Sequence, residues 1–414
     1  LGRTALDPGQ EDAVAAHLES VLRAHPESPE VHRQLAYLRT RQGRLSEAVE
    51  HIEVALESPR ADAGLRREAV RLRELADCPQ RAVTLPDHPE GRLRFTTLYD
   101  RTHHRSGWRY AVESLYGLHN AAGVRFEGFL EDPFAWQHPR GGIRSGPELL
   151  AALRSDDYDS RLTSEERHVI PFREPWVGFL HNPPGMQSWF HVDESPQAIF
   201  AKRAWKESLR FCLGLFALSE YAADWLRKQT GKPVSAVLHP TATPDLRFDF
   251  DRFLANPRKL VVQVGWWLRR LGAISRLPIR SDNPLGYAKL RLIPNFFPGA
   301  ASYLAGRCEQ DYERSGWPLP EHAANTHERA HVPNDEYDRL LSENIVFVDL
   351  IDASANNAVI ECLVRATPIL VNRLPAVEEY LGSDYPLYFR DLDEAAAMAL
   401  DVGRVRAAHQ YLQQ

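Results

Sequence analysis

The stretch Asn344-Ile-Val-Phe-Val-Asp-Leu-Ile-Asp-Ala-Ser-Ala-Asn-Asn-Ala-Val-Ile-Glu-Cys-Leu-Val-Arg-Ala-Thr-Pro-Ile-Leu-Val-Asn372 decides the fold, because it reads as one complete strand, turn, helix and strand. Ile345 to Leu350 is a nearly unbroken apolar run of strand length, the pattern of a parallel strand covered on both faces. In the polar turn that follows, Asp352, Ser354 and Asn356 are each competent to cap a helix, and Ala358, Ile360, Leu363 and Val364 then recur at helical spacing. Thr367-Pro368 stops that helix, and the short apolar run to Val371 predicts the next parallel strand. Strand, helix and strand in this order place the chain in the α/β class.

The turn lies at the carboxyl end of a strand and the amino end of a helix, where free backbone N–H groups and the helix dipole both favour an anion. Ser354, Asn356, Asn357 and Ala358 are therefore candidate phosphate contacts. Glu361, one turn into the helix, is placed to accept hydrogen bonds from a sugar hydroxyl beside that phosphate. Together they suit a nucleoside diphosphate.

On these residues the unit resembles the nucleotide-binding segment of retaining glycosyltransferases with two Rossmann-like domains, the GT-B type of family 4 or group 1. In that family two glutamates eight positions apart flank a small-residue turn. Here Glu361 matches the second, which the family uses on the donor ribose, and Ala366-Thr367-Pro368 matches the element that ends the helix. The first glutamate falls on Ala353, with Asp352 one place away. The resemblance implies two Rossmann-like domains facing a cleft, a nucleoside diphosphate sugar as donor, retention of anomeric configuration and no metal or other cofactor.

A chain of 414 residues exceeds what one hydrophobic core usually serves. The expected organisation is a helical module over 1–78, a linker over 79–91, an acceptor domain over 92–250, a nucleotide-sugar domain over 251–400, and a C-terminal helix over 401–414 packing back on the first α/β domain. A net charge of −6 gives no general attraction for nucleic acid or anionic membrane, and no apolar run approaches membrane-spanning length. Cys78, Cys212, Cys308 and Cys362 are scattered without metal-ligand spacing; reduced, buried thiols in a cytoplasmic protein are expected.

Within the helical module, His17-Leu18-Glu19 and Val21-Leu22 recur at His51-Ile52-Glu53 and Ala55-Leu56, an offset of 34 residues. Leu35, Ala36, Gly43, Ala48 and Ala55 resemble the small and apolar positions of a tetratricopeptide repeat, whose period is 34. Such a module either presents a groove to a peptide, protein partner or second copy, or shields a surface.

The first α/β domain is predicted to open with a strand from Leu93 to Leu98 and a helix from about Tyr110 to Ala121. The family's loop after this strand faces the cleft, which makes His103, His104 and Arg105 candidates for acceptor or diphosphate contacts; solvated charge is the alternative. Val124 to Phe129 and Leu209 to Leu218 are further strand candidates. Pro175 to Leu180 is an apolar strand running into His181 and a Pro-Pro-Gly turn that continues neither strand nor helix. In the resembling family a histidine here sits over the donor sugar, and an imidazole suits that place because it donates or accepts near neutral pH. Ser219-Glu220 reads as an N-cap with an acidic first turn.

In the second domain Lys259 to Val264 is a β-branched strand, followed by Gly265-Trp-Trp-Leu-Arg269-Arg270-Leu-Gly272. The family uses an Arg and a Lys in this loop to neutralise the donor diphosphate; Trp266 holds the Arg position, so the role passes to Arg269 and Arg270 as a pair. Glu378, in the run Leu374 to Gly382, is placed to reach the sugar or to lie exposed on a helix. The resulting expectation is a transferase acting on a protein, peptide or saccharide hydroxyl, with His181, Arg269, Arg270 and Glu361 carrying the reaction. The alternative is a degenerate transferase-like domain that binds partners through its helical module. A dehydrogenase fits less well, since no Gly-x-Gly-x-x-Gly follows a strand.

Overall fold

The computed structural model describes residues 8–41, 44–59, 61, 65–66, 69, 72, 85–95, 107–135, 171–187, 190, 194–293, 300–316, 325–329 and 332–414. The chain forms two compact units, the first of residues 1–102, 112–180 and 191–215, the second of 103–111, 181–190 and 216–414.

The first unit begins with helices Pro8–Ala24, Pro29–Arg41 and Leu45–Leu56. Ala15, Leu18, Leu35 and Leu38 bury one shared face, and Ala48, Ile52 and Ala55 are fully covered. Arg39 is buried with them and is neutralised by Glu19 and Glu47. A five-stranded sheet, whose first three strands belong to this unit, has the order β1 (Leu93–Phe95), β2 (Val124–Glu127), β3 (Trp176–Phe179), β4 (Cys212–Ala217) and β5 (Val234–Ala236). β1 pairs β2, and β2 pairs β3, in parallel. The described strands of this sheet thus run in chain order with no reversal.

The second unit is built on a six-stranded sheet in which every pair is parallel: β6 (Leu260–Gln263), β7 (Ala288–Leu292), β8 (Thr326–Arg329), β9 (Ile345–Val348), β10 (Ile369–Asn372) and β11 (Tyr388–Phe389). Its order is β11-β10-β9-β6-β7-β8, so the chain steps outward from β6 to β8 and then returns to lay β9 on the other side of β6. Such a reversal opens a crevice outside the carboxyl ends of the two central strands. Ile345, Val346, Phe347 and Val348 are all fully buried, as a strand covered on both faces requires.

The opening stretch forms the elements read from it: β9, the helix Asn357–Arg365 and β10. That helix ends at Ala366 in the left-handed region (φ 54°), and the Thr367 N–H returns to the Cys362 carbonyl. Elsewhere tertiary contacts moved boundaries. The helix expected from Tyr110 to Ala121 is Trp108–Ser114 followed by a 3₁₀ turn, Tyr116–Leu118. There Asn120 turns the chain, its Oδ1 accepting from Ala122 N while its own N–H joins the Leu93 carbonyl. The strand expected from Leu209 begins only at Cys212, because a helix runs to Leu209. The C-terminal helix Val402–Leu412 sends Val405 and Ala408 into the core of the six-stranded sheet. Its His409 Nδ1 also lies 2.7 Å from the Ala366 carbonyl.

Candidate functional site

The loops leaving β6 and β9 meet at the strand-order reversal. Ile351 N donates to Leu268 O and Arg270 N to Asp349 O, both at 2.8 Å, so the two loops lie antiparallel as a short bridge. Reaching that pairing takes two left-handed residues, Gly265 (φ 73°) and Leu268 (φ 53°). A Cβ on Gly265 would stand 2.7 Å from the Arg269 guanidinium carbon.

Arg269 is thereby pressed inward and left only 7% exposed. Its Nη1 donates to Trp267 O at 2.8 Å and its Nη2 to Asn356 Oδ1 at 3.2 Å, while its Nε has no partner. Among the described residues no carboxylate lies within ion-pair distance of it. Burial pulls its pKa down to about 10, against the opposing field of Tyr337 and Glu361. Asn356 is the N-cap of the Asn357 helix, its Oδ1 also accepting from Ala358 N and Val359 N at 3.1 and 3.3 Å. Ser354, 1% exposed, has an Oγ without a partner beside the same helix end. A buried cation, a helix amino terminus and an unpaired hydroxyl thus converge.

On another side of that terminus sits Asp352. Its carboxylate accepts from Gly185 N at 2.6 Å, Ala353 N at 2.8 Å and Tyr221 OH at 3.4 Å, and burial raises its pKa despite these bonds. These bonds tie the Pro-Pro-Gly turn after His181 to the β9 turn. Trp267 Nε1 adds a bond to Asn182 Oδ1 at 3.0 Å. The His181 ring lies 6.3 Å from that of His239, edge to face. His239 is 6% exposed; burial pushes its pKa down to about 4, with a hydrogen bond to Asn357 acting the other way.

Of the residues read from sequence, Arg269, Ser354, Asn356, Asn357, Ala358 and Gly265 gather at the helix terminus, and His181 reaches it through His239. Glu361 lies one turn along the helix, accepting from Tyr337 OH at 2.5 Å. Arg270 turns elsewhere, donating to Asp349 at 3.0 Å with 37% of its side chain exposed. Glu378 is paired with Arg373. Its neighbour Glu379 accepts from Glu220 N and Tyr221 N at 2.6 and 2.7 Å, capping the helix Glu220–Thr230 together with Ser219. His103, His104 and Arg105 lie outside the described residues. Sequence reading missed His239 and Tyr221; the local mark of the first is the His239-Pro240 pair shortly after β5. Among the described residues no cluster of three His, Cys, Asp or Glu side chains could hold a metal ion, and no helix is long and apolar enough to cross a membrane.

The sequence matches no family model and none of the curated proteins. Several solved structures align with it at low scores. A Thermobaculum terrenum O-GlcNAc transferase mutant is 14% identical, the match covering 97% of this chain and 82% of that one with a TM-score of 0.40. The UDP-forming α,α-trehalose-phosphate synthase of Burkholderia xenovorans is 12% identical over 58% of this chain, with a TM-score of 0.37, and only 64% of its own length is spanned. Anabaena HepE in complex with UDP-glucose is 12% identical over 58% of this chain and 67% of that one, with a TM-score of 0.40. With scores this low, the α/β class rests on the parallel sheets themselves.

Proposed function

We propose that the chain is a glycosyltransferase of the GT-B type, moving a sugar from a nucleoside diphosphate sugar to an acceptor hydroxyl. The observation that carries this reading is the buried Arg269 guanidinium, without a carboxylate partner among the described residues, held against the cap of the Asn357 helix at the β6/β9 reversal. A buried cation is costly unless an anion joins it, and a helix amino end adds to the attraction. Arg269 and the turn from Ser354 to Ala358 would hold the leaving diphosphate, Glu361 the ribose, and His181 the donor sugar and acceptor. Retention, with the leaving phosphate taking the acceptor's proton, and independence from metal belong to the same proposal. The tetratricopeptide-like helices would present a protein or peptide acceptor, or a partner; a saccharide acceptor is equally compatible.

A second reading is a degenerate domain that binds partners. It is favoured by the aromatic cluster of Phe190, Trp266 and Trp267, in which Trp266 stands where the resembling family has its arginine. Thermal stability measured with a panel of nucleoside diphosphates and their sugar conjugates, with and without a chelator, separates the two. Selective, chelator-insensitive stabilisation that disappears in Glu361→Ala supports the transferase. No response to any nucleotide favours the partner-binding domain.

A further inference from the structure

A concavity of ≈ 550 Å³ lies at the carboxyl ends of β9, β10 and β11 and borders the strand-order reversal through Arg270 and Asp349. Its size falls within the usual range of small-molecule sites, about 300–1,000 Å³. Arg270, Arg276 and Arg390 line it together with Asp349 and Asp391, over an apolar floor of Phe389 and Leu392. The Phe389 ring is itself fixed by stacking on Phe347.

The lining offers donors and acceptors in alternation. Arg270 spends only Nη1 on the protein, on Asp349 Oδ1 and the Leu350 carbonyl at 3.0 and 3.3 Å. Arg390, 85% exposed, spends Nε and Nη2 on Glu394, leaving Nη1. Asp391 spends Oδ1 on the Glu394 N–H at 2.8 Å, and Asp349 its Oδ1 on Arg270, so each keeps a second oxygen. The three arginines face Asp349, Asp391 and the Glu394 that pairs with Arg390, so the local charge is nearly balanced. A polyanion would gain little there. A ligand whose groups both donate and accept, on a carbon frame with apolar faces, fits both the polar wall and the floor.

We propose that this pocket binds a neutral saccharide, its hydroxyls donating to Asp349 and Asp391 and accepting from Arg270 and Arg390. The proposal stands apart from the nucleotide reading. Saturation-transfer NMR and calorimetry on the full chain, with neutral mono- and disaccharides as probes and inorganic phosphate and glucose 6-phosphate as anionic controls, test it. The expected result is binding of at least one neutral sugar, weakened about tenfold by Asp349→Asn and by Arg390→Ala, as loss of one hydrogen bond to a charged group predicts. Any nucleotide-induced stabilisation should persist in Arg390→Ala, which separates failure here from failure of the transferase reading. Asp391→Ser keeps the helix cap while removing the carboxylate, and should weaken the sugar likewise. Absence of sugar binding at millimolar concentration, tighter binding of the anionic controls, or a sugar indifferent to all three substitutions overturns the proposal.

Discussion

Arg269 is a buried charge that, among the described residues, the fold holds without a carboxylate partner. Its guanidinium is desolvated, and its two hydrogen bonds go to neutral oxygens, Trp267 O and Asn356 Oδ1. Replacing such a charge with a neutral side chain of similar length is often neutral or stabilising. Arg269→Gln should therefore match or exceed the parent in urea midpoint while losing at least about tenfold in nucleotide affinity, a charge-assisted contact being worth that much. A variant that unfolds more easily yet responds normally to nucleotide would show that Arg269 serves only the fold. Gly185 makes a different demand. A Cβ there would lie 2.4 Å from Asp352 Oδ2, a carboxylate pinned by Ala353 N and Tyr221 OH. Gly185→Ala should cost about 1–3 kcal/mol by overpacking. Because the clash is with one carboxylate, the cost should shrink in the Asp352→Ala background, and strict additivity in denaturant melts would contradict the geometry.

At the scale of the element, the helix Asn357–Arg365 is where most of the reading converges, and it was legible because its signals are local. Asn356 is competent to cap, Thr367-Pro368 ends the helix, and the apolar positions between repeat at helical spacing. Invisible in the sequence was that the capping oxygen also receives Arg269, 87 positions away. Asn356→Ala should cost about 1 kcal/mol of stability through the lost cap. Asn356→Asp keeps the cap and places a carboxylate against Arg269, so stability should hold or rise while nucleotide affinity falls, the new charge competing with the phosphate. Melts and nucleotide titrations of the two variants side by side check this; equal nucleotide loss in both would mean that the cap alone matters.

Over the whole molecule, buried titrating groups set opposing dependences on acid. His239 has its pKa lowered from 6.5 to about 4, so between those values the unfolded chain binds more protons, and stability falls as pH falls. The full penalty is on the order of 3 kcal/mol. Asp311, which accepts from Gly272 N, is raised from 3.8 to about 6 by burial, so in that window the native state binds more protons and stability rises as pH falls. The two overlap between about 4 and 6 with opposite signs. Removing the carboxyl in Asp311→Asn should therefore steepen the loss of stability between pH 6 and 4, read as the slope of the urea midpoint against pH; an unchanged slope would refute the opposition. Neither group was singled out from sequence, because burial of His239 and Asp311 depends on segments far away in the chain. The same division holds throughout. Residues 344–372 by themselves determined an α/β unit with a capped helix after a buried strand, since apolar periodicity, capping and chain-breaking act within a few residues. Only the tertiary structure decided that β9 lies beside β6, that Arg269 and Arg270 part company, one buried at the helix terminus and one lining an open pocket, and that Asp352 holds the Pro-Pro-Gly turn. Those outcomes depend on which loops a parallel sheet brings to its carboxyl edge, and strand order is set by long-range packing that no local pattern encodes.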